Sequence, residues 1–358
     1  MKKEARALLL KLLRSAGVFA AWRQLHRDDI VILMLHGTAD PKRPSLWTPL
    51  RPQFSPEYID RCLEVIGRHY RFVSFDAAVA ILKGKIPPVE HGIAVTLDDG
   101  YRSNIVDALP VFRKHGVPAT IFLTVTNVET RTPFWFDRLD YALQASGPGD
   151  GSFEIGGVPF RFSGDGRDGL AASYADFRGL IKREYVHEKE FCRKVEEVIT
   201  HFERRSGRRL SDIFEDDPWS ALLDWGEIVG CQGDDVRFGS HTLDHHRVGH
   251  LRRGDDLRRQ LIGSKEAIEE KTGVPCRYIA YPDGDCSERA VKVAREAGYE
   301  AGVTTEEGIN RVGCDLMTLR RIALPWTTDE TELLARVSGL SDALSRRFPR
   351  KPSKGAAA

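Results

Sequence analysis

Ile93-Ala94-Val95-Thr96-Leu97-Asp98-Asp99-Gly100 is the stretch that decides the fold. It opens with an apolar, β-branched run, which is typical of a strand buried in a parallel sheet. The run ends in two adjacent carboxylates, and charges at the end of a buried strand are costly unless they are paired or bind a metal. Because successive side chains of a strand point to opposite sides, Asp98 and Asp99 need not do the same job.

A second stretch, His241-Thr242-Leu243-Asp244-His245, also follows an apolar strand. Its two histidines are four residues apart, so one helical turn would place both imidazoles on one face. One carboxylate and two such histidines make a metal site with three ligands and open positions. His246 and His250 are rival ligands, and Asp244 is expected to act as a cap or as a hydrogen-bond acceptor for a ligand.

Both stretches resemble motifs of the polysaccharide deacetylases, the family 4 carbohydrate esterases. Thr96–Gly100 is similar to the T-F-D-D-G motif of that family, and the segment from His241 to His245 is similar to its H-[ST]-x-x-H motif. The resemblance implies an α/β fold, a distorted (β/α) barrel with a partly helical insertion. It also implies a hydrolase that removes N-acetyl groups from a glycan or glycan precursor.

The resemblance further implies a divalent metal bound by Asp99, His241 and His245. Zinc is the expected ion, with Ni²⁺, Co²⁺ or Fe²⁺ as alternatives. In such a site the metal polarises a carbonyl and lowers the pKa of water.

Roles for other residues also come from the resemblance. Asp98 matches the general base of the family, and Asp283 in Tyr281-Pro282-Asp283-Gly284 matches the position whose backbone N–H stabilises the oxyanion. Many members have an arginine before the proline of this loop, which orients the base, but here Ala280-Tyr281 precede Pro282. Arg321, from another strand, is the candidate to replace it. The D-W motif that orients the acid histidine has no clear match.

The general acid is predicted to be His36. Met34-Leu35-His36 resembles the L-x-H motif that ordinary members carry near the C-terminal end, and no comparable L-x-H follows Arg321. The chain therefore resembles a circularly permuted group within the family.

Convergence of the site residues is expected from the pattern alone. His36, Asp98, Asp99, His241 and Asp283 all fall just after apolar strands. The carboxyl ends of parallel barrel strands meet on one face, where active sites of such folds lie. Aromatic side chains are the candidates for contact with the sugar, namely Tyr101, Tyr281 and Trp135.

Four regions are predicted along the chain. An N-terminal amphipathic helix spans 1–29, the barrel spans 30–126 and 236–345, an insertion spans 127–235, and a basic, disordered tail spans 346–358. The insertion follows from a lapse in strand–helix alternation that is too long for a structureless loop. It is expected to be partly helical, with a short β-ribbon near Phe153 to Phe162.

The N-terminal segment is basic and then apolar, like a signal peptide, but Lys11 and Arg14 interrupt the apolar run and no cleavage site stands out. The first interpretation is a helix packed on the domain. The alternative is a helix at a membrane surface, with Lys2, Lys3, Arg6, Lys11, Arg14 and Arg23 facing anionic lipid. The protein is accordingly expected in the cytoplasm, at the inner face of the membrane in the alternative.

Composition narrows the class of protein. The net charge of +1 over 358 residues gives no field that favours nucleic acid. The six cysteines lack C-x-x-C spacing, which argues against a cysteine zinc site and a dense disulfide framework and favours free thiols in a reducing compartment.

Three classes of function stay open. The first is a metal-dependent de-N-acetylase, and the second is a hydrolase of another non-peptide amide or imide, since fold does not fix substrate. The third is a non-catalytic glycan-binding relic, which would be expected to lose Asp98 or His36. An iron oxygenase with two histidines and one carboxylate is a weaker rival. Acetate release from an N-acetylglucosamine oligomer, lost with chelator, separates the first class from the rest.

Overall fold

A curled parallel sheet forms the centre of the computed structural model, which describes residues 3–147, 151–164, 166–185, 188–251 and 253–347. Eight strands belong to it: β1 (Val31–Leu35), β2 (Arg71–Phe72), β3 (Gly92–Leu97), β4 (Ala119–Leu123), β7 (Val236–Ser240), β8 (Tyr278–Ala280), β9 (Ala301–Val303) and β10 (Ile322–Ala323). A separate antiparallel hairpin contains β5 (Ser152–Ile155) and β6 (Val158–Arg161).

Helices surround this sheet. In chain order they are α1 (Lys3–Ser15), α2 (Val18–Leu25), α3 (Pro56–Gly67), α4 (Phe75–Leu82), α5 (Leu109–Lys114), α6 (Val125–Thr130), α7 (Trp135–Ser146), α8 (Gly166–Glu184), α9 (Glu188–Ser206), α10 (Trp225–Cys231), α11 (Gly254–Arg258), α12 (Ser264–Thr272), α13 (Glu288–Glu296), α14 (Glu330–Val337) and α15 (Leu340–Arg347).

The strand order is β10-β1-β3-β4-β7-β8-β9, with β2 also paired to β3. A parallel bridge between Val303 and Leu319 joins β9 to the chain just before β10, so the two edges of the sheet approach each other. Every strand pair of this sheet is parallel. The predicted barrel class is therefore confirmed.

Alternate residues of the strands pack into two apolar layers. Ile32 and Ala94 pack with helix α4, which closes one side of the curled sheet. Leu33 and Val95 belong to the larger core between the sheet and the outer helices. Because both faces are buried, the strands read as continuous apolar runs in the sequence.

Strand β1 lies directly beside β3. Their parallel register pairs Leu35 with Leu97, so His36 and Asp98 leave the sheet at the same level. The circular permutation of the chain stays a prediction.

The N-terminal segment forms two helices and not the single predicted one, because the chain breaks at Gly17, whose φ is 76°. Both helices pack on the domain. Arg14 donates to Glu330 of α14 over 2.6 Å, and the Trp22 indole N–H donates to the Ser338 carbonyl over 2.8 Å. Of the described helices, none has the length and apolar character needed to cross a membrane.

The region between β4 and β7 contains helices α6 to α10 and the β5–β6 hairpin, so the predicted β-ribbon is present. An apolar core of its own joins helices α7, α8 and α9 to the hairpin. At the other end of the chain, α15 reaches Arg347, two residues into the predicted tail. The rest of that tail lies outside the described residues. All six cysteines are free thiols, as expected.

Candidate active site

The carboxyl ends of β1, β3, β7 and β8 meet around one cavity of about 90 Å³. The predicted site residues that line it are His36, Asp98, Asp99, Trp135, His241, His245 and Asp283. The convergence expected from the strand pattern is thus observed. The cavity is well below the roughly 300 Å³ at the lower end of small-molecule pockets, so it suits an acetamido-sized group and not a whole sugar.

Asp99, His241 and His245 form a cluster with the geometry of metal ligands. The Nε2 atoms of both histidines lie 3.4 Å from Asp99 Oδ1. This distance is too long for a good hydrogen bond, and Oδ1 is buried without a partner among the described residues. Ligand atoms about 2.0–2.1 Å from a tetrahedral ion lie about 3.3 Å apart. The three side chains therefore fit a divalent cation.

Hydrogen bonding fixes the orientation of His241. Its Nδ1 lies 2.8 Å from the Ala280 carbonyl oxygen, so Nδ1 carries the proton and donates it. The Nε2 lone pair then faces Asp99, as metal-binding histidines require. Burial alone would raise the pKa of Asp99, but the His241 and His245 rings beside it hold that pKa well below its ordinary value. Asp99 is therefore a carboxylate.

The segment from His241 to His245 is a loop, so the expected helical turn is wrong. Thr242 and His245 have φ values of 69° and 56°, which bend the chain sharply and return His245 to His241. Their ring centroids are 4.9 Å apart. Asp99 and Asp283 also have positive φ, at 77° and 56°. Non-glycine residues in this region are strained, and such strain gathers at functional sites.

Asp244 anchors this loop and does not face the cavity. It accepts hydrogen bonds from Thr126 Oγ1 and from Gln260 Nε2, both over 2.6 Å. Of the rival ligands, His250 binds Asp285 outside the cavity over 2.7 Å. His246 instead lies near Glu188 and Cys192, in a second group of side chains close enough to hold an ion.

Asp98 makes a bidentate ion pair with Arg321. Both distances are 2.7 Å, and both side chains are almost completely buried. Arg321 is held in turn by the Thr304 carbonyl over 2.8 Å. Burial alone would raise the pKa of Asp98, but the Arg321 guanidinium holds it below its ordinary value. Arg321, the residue before β10, thus contacts Asp98, and its role in orienting the base stays a prediction.

Arg321→Lys should lower kcat by roughly tenfold or more, because a lysine cannot hold both carboxylate oxygens. Arg321 lowers the pKa of Asp98, so its loss raises that pKa and leaves more Asp98 protonated in acid. The acidic limb of the kcat/KM profile should therefore move to higher pH. A pH–rate series on the natural enzyme and on Arg321→Lys measures this shift. An acidic limb at the same pH in both would show that Arg321 does not control the ionisation of Asp98.

His36 lies at the cavity beside the two carboxylates. Burial lowers its pKa below the ordinary value, and the charges of Asp99 and Asp98 offset this only in part. The imidazole is therefore neutral at neutral pH. A neutral imidazole can act as an acid only after it takes up a proton, so the predicted role of His36 requires its protonation during the reaction.

Asp283 sits in the tight loop after β8, next to Gly284 with φ 70°. Its carboxylate binds Lys182 Nζ of helix α8 over 2.5 Å. This ion pair joins the loop to the inserted helices. The predicted role of the Asp283 backbone N–H as an oxyanion donor stays a prediction.

Two of the three predicted sugar-contacting aromatics lie away from the cavity surface. Tyr281 is fully buried in the main apolar core, and Tyr101 is 1% exposed, with its hydroxyl donating to Asp137 over 2.7 Å. Neither side chain lines the cavity in this structure, and their contact with substrate stays a prediction. Trp135, in contrast, lines the cavity beside Phe136.

Several residues that line the cavity were missed from the sequence. They are Arg51, Phe136, Arg178, Lys182, Glu188, Phe191, Arg247 and Thr305. Most lie on α7, α8 and α9, in the segment predicted to be an insertion, where basic residues at helical spacing look like an ordinary solvated face. These three helices thus form one wall of the site.

The chain is similar in sequence to proteins described as polysaccharide deacetylases. The sequence profile described as polysaccharide deacetylase matches residues 85–147 and 197–302. "Putative polysaccharide deacetylase YxkH" of Bacillus subtilis is 29% identical over 87 residues, which cover 24% of this chain and 31% of that protein. The match thus spans about a third of this relative.

Solved structures share the fold. Streptococcus pyogenes deacetylase PplD, solved in complex with acetate, has a TM-score of 0.55 at 17% identity and covers 87% of this chain and 99% of its own. IcaB from Ammonifex degensii has a TM-score of 0.54 at 18% identity, with 87% and 97% covered. These structures show the fold, and the profile match over residues 85–147 and 197–302 identifies a polysaccharide deacetylase domain in this chain.

Proposed function

We propose that this protein is a metal-dependent hydrolase that removes N-acetyl groups from a glycan or glycan precursor. The observation that carries the proposal is the buried, unpartnered Asp99 Oδ1 with two histidine Nε2 atoms 3.4 Å away. Zinc suits this donor set of one carboxylate and two imidazoles. The neighbouring Asp98–Arg321 pair adds an oriented carboxylate for proton transfer.

The proposed reaction divides the work among the residues around the cavity. A bound divalent metal would supply Lewis acidity and lower the pKa of water. Asp98, kept ionised by Arg321, takes the proton from the attacking water. The Asp283 backbone N–H donates to the oxyanion. His36, neutral at rest, takes up a proton from solvent and delivers it to the leaving nitrogen as the C–N bond breaks, and Asp98 returns the proton of the attacking water to solvent. The products are acetate and a free amine.

The proposed function is tested by quantifying acetate and new primary amine from N-acetylglucosamine oligomers, peptidoglycan fragments and lipid-linked N-acetyl sugars. Equal amounts of both products, lost with chelator and restored by Zn²⁺, are expected. Release of a different acid or of ammonia from other amides or imides would favour the second class of hydrolase. Absence of turnover on every substrate by zinc-loaded protein would favour a glycan-binding relic.

His36→Ala should lower kcat on an N-acetyl sugar by about 10²-fold, the usual weight of a general acid, with metal content and fold intact. His36 is expected not to be a metal ligand. His250→Ala, at a histidine outside the cavity, is the matched control. A His36→Ala enzyme with unchanged turnover would leave the general acid unassigned.

We also propose that helix α1 contacts a membrane surface, which would place the enzyme at the inner face of the membrane. Leu8 and Leu12 are 61% and 58% exposed, on the side of the helix opposite buried Leu10. Arg14, in contrast, binds Glu330 and faces the domain. Sedimentation with anionic lipid vesicles is expected for the natural chain and reduced for Leu8→Ser/Leu12→Ser. Equal binding by both would contradict the contact.

A further inference from the structure

We propose that the substrate of this site carries an oxyanion, a carboxylate or phosphate attached to the N-acetyl sugar, and that Arg178 binds it. This inference rests on the proposed function and names the class of glycan. It begins with the basic side chains that the insertion and neighbouring loops bring to the cavity: Arg51, Arg178, Lys182 and Arg247.

Three of these four basic groups already have a carboxylate partner. Arg51 pairs with Asp137 over 2.6 Å, Lys182 pairs with Asp283 over 2.5 Å, and Arg247 pairs with Glu188 over 3.1 Å. Each of these cations is therefore compensated within the protein.

Arg178 is the exception. Within the described part of the chain, no hydrogen-bond acceptor or carboxylate pairs with its guanidinium, and its Nε is buried without a partner. A buried N–H donor that leaves water without finding an acceptor is costly. A ligand that accepts a hydrogen bond from this N–H would remove the free-energy cost of burying it.

The surroundings of Arg178 orient it for such a ligand. Its guanidinium lies 5.6 Å from the centroid of the Phe136 ring and 5.7 Å from that of Tyr174. Aromatic contacts engage the charge of an arginine and leave its N–H donors for an acceptor. Lys182, one helical turn further along α8, also lines the cavity, but Asp283 compensates its charge, so Arg178 is the group available to a ligand anion.

The chemistry of the guanidinium selects the ligand. Its planar fork of donors matches the two oxygens of a carboxylate or phosphate better than a neutral hydroxyl. Because Arg178 lines the same cavity as Asp99, the anion must belong to the molecule whose acetamido group is hydrolysed. The cavity holds little more than that group, so the anion lies on the sugar or its neighbour toward the mouth.

Three probes test this with the zinc-loaded full chain: neutral diacetylchitobiose, N-acetylglucosamine 1-phosphate, and a disaccharide of N-acetylglucosamine and glucuronic acid. The ratio of kcat/KM for an anionic probe to that for the neutral probe is expected to exceed about tenfold. Arg178→Gln should reduce this ratio by about tenfold, and Arg178→Lys should restore part of it. Whichever anionic probe shows the preference identifies carboxylate or phosphate as the source.

Arg183→Gln is the matched control, since Arg183 is an exposed arginine of the same helix that lies 3.6 Å from Glu184. A ratio that falls equally in Arg183→Gln and Arg178→Gln would show a general charge effect and overturn the proposal. An unchanged ratio in Arg178→Gln would also overturn it, even if acetate release established the proposed function.

Binding of the same probes by calorimetry separates the two proposals. If no probe releases acetate, the proposed function fails for these sugars. The affinities of the anionic and neutral probes still test whether Arg178 binds an anion. Tighter binding of an anionic probe that weakens in Arg178→Gln supports the site. Equal affinity in both proteins places the anion on the metal or elsewhere and overturns it.

Discussion

Asp99→Ala and His241→Ala should each abolish stoichiometric zinc binding and lower deacetylation by at least about 10³-fold. Mutation of a residue that only hydrogen-bonds to a metal ligand lowers metal affinity or activity by about 10- to 100-fold. Removal of a ligand itself should lower them further. The Nε2 of His241 and the Oδ1 of Asp99 are 3.4 Å apart, so each variant removes one proposed ligand of the same metal site. Metal content by elemental analysis and acetate release on the same samples measure the effect.

His246→Ala is the matched control for these variants, because His246 is the next histidine in the chain and belongs to a different cluster. It should retain one zinc ion per chain. Unchanged metal content in both ligand variants, or loss of zinc only in His246→Ala, would contradict the assignment of the ligands.

Asp98→Asn should retain zinc and lose about 10²- to 10⁴-fold in kcat, the range expected for a positioned general base. Zinc is retained because both carboxylate oxygens of Asp98 bind Arg321 and not the cluster around Asp99. The amide cannot take a proton from water, although it keeps nearly the same shape. Steady-state kinetics at saturating zinc, with thermal unfolding to check the fold, measure this.

Asp285→Asn serves as the control, since this carboxylate pairs with His250 and does not line the cavity. It should keep the turnover of the natural enzyme. Near-normal turnover by Asp98→Asn under the same conditions would remove Asp98 from the mechanism.

The fold was predictable because its signals are local and strong. Runs such as Ile93 to Leu97 are buried on both faces, so the sequence shows them as continuous apolar strands. The chemistry-bearing residues follow those runs directly, and the geometry of parallel strands brings their ends together. The sequence alone is therefore enough to place Asp98, Asp99, His241 and His36 at one cavity.

The rest depends on contacts between distant parts of the chain. Arg321 reaches Asp98 across 223 positions of sequence, and only the resemblance, not periodicity, suggested this pair. The turn between the two histidines depends on a left-handed backbone conformation at Thr242. Such a conformation is uncommon for residues other than glycine, so the sequence does not predict it. Tyr281 directly follows a strand, as the site residues do, but its side chain is buried in the apolar core.

The helices between β4 and β7 were the least predictable part of the fold. Arg178 lies on a helix rich in charged residues, and nothing in its spacing distinguishes a residue at the cavity from one in solvent. Its position follows from how α8 packs over the barrel, through contacts such as that between Lys182 and Asp283.

Anomalous diffraction at the zinc edge from crystals of the zinc-loaded protein tests the central claim most directly. We expect one strong peak within about 2.0–2.2 Å of Asp99 Oδ1 and of the Nε2 atoms of His241 and His245. The second group of candidate ligands, Glu188, Cys192 and His246, provides an internal comparison. A peak at that group and none at Asp99 would contradict the account.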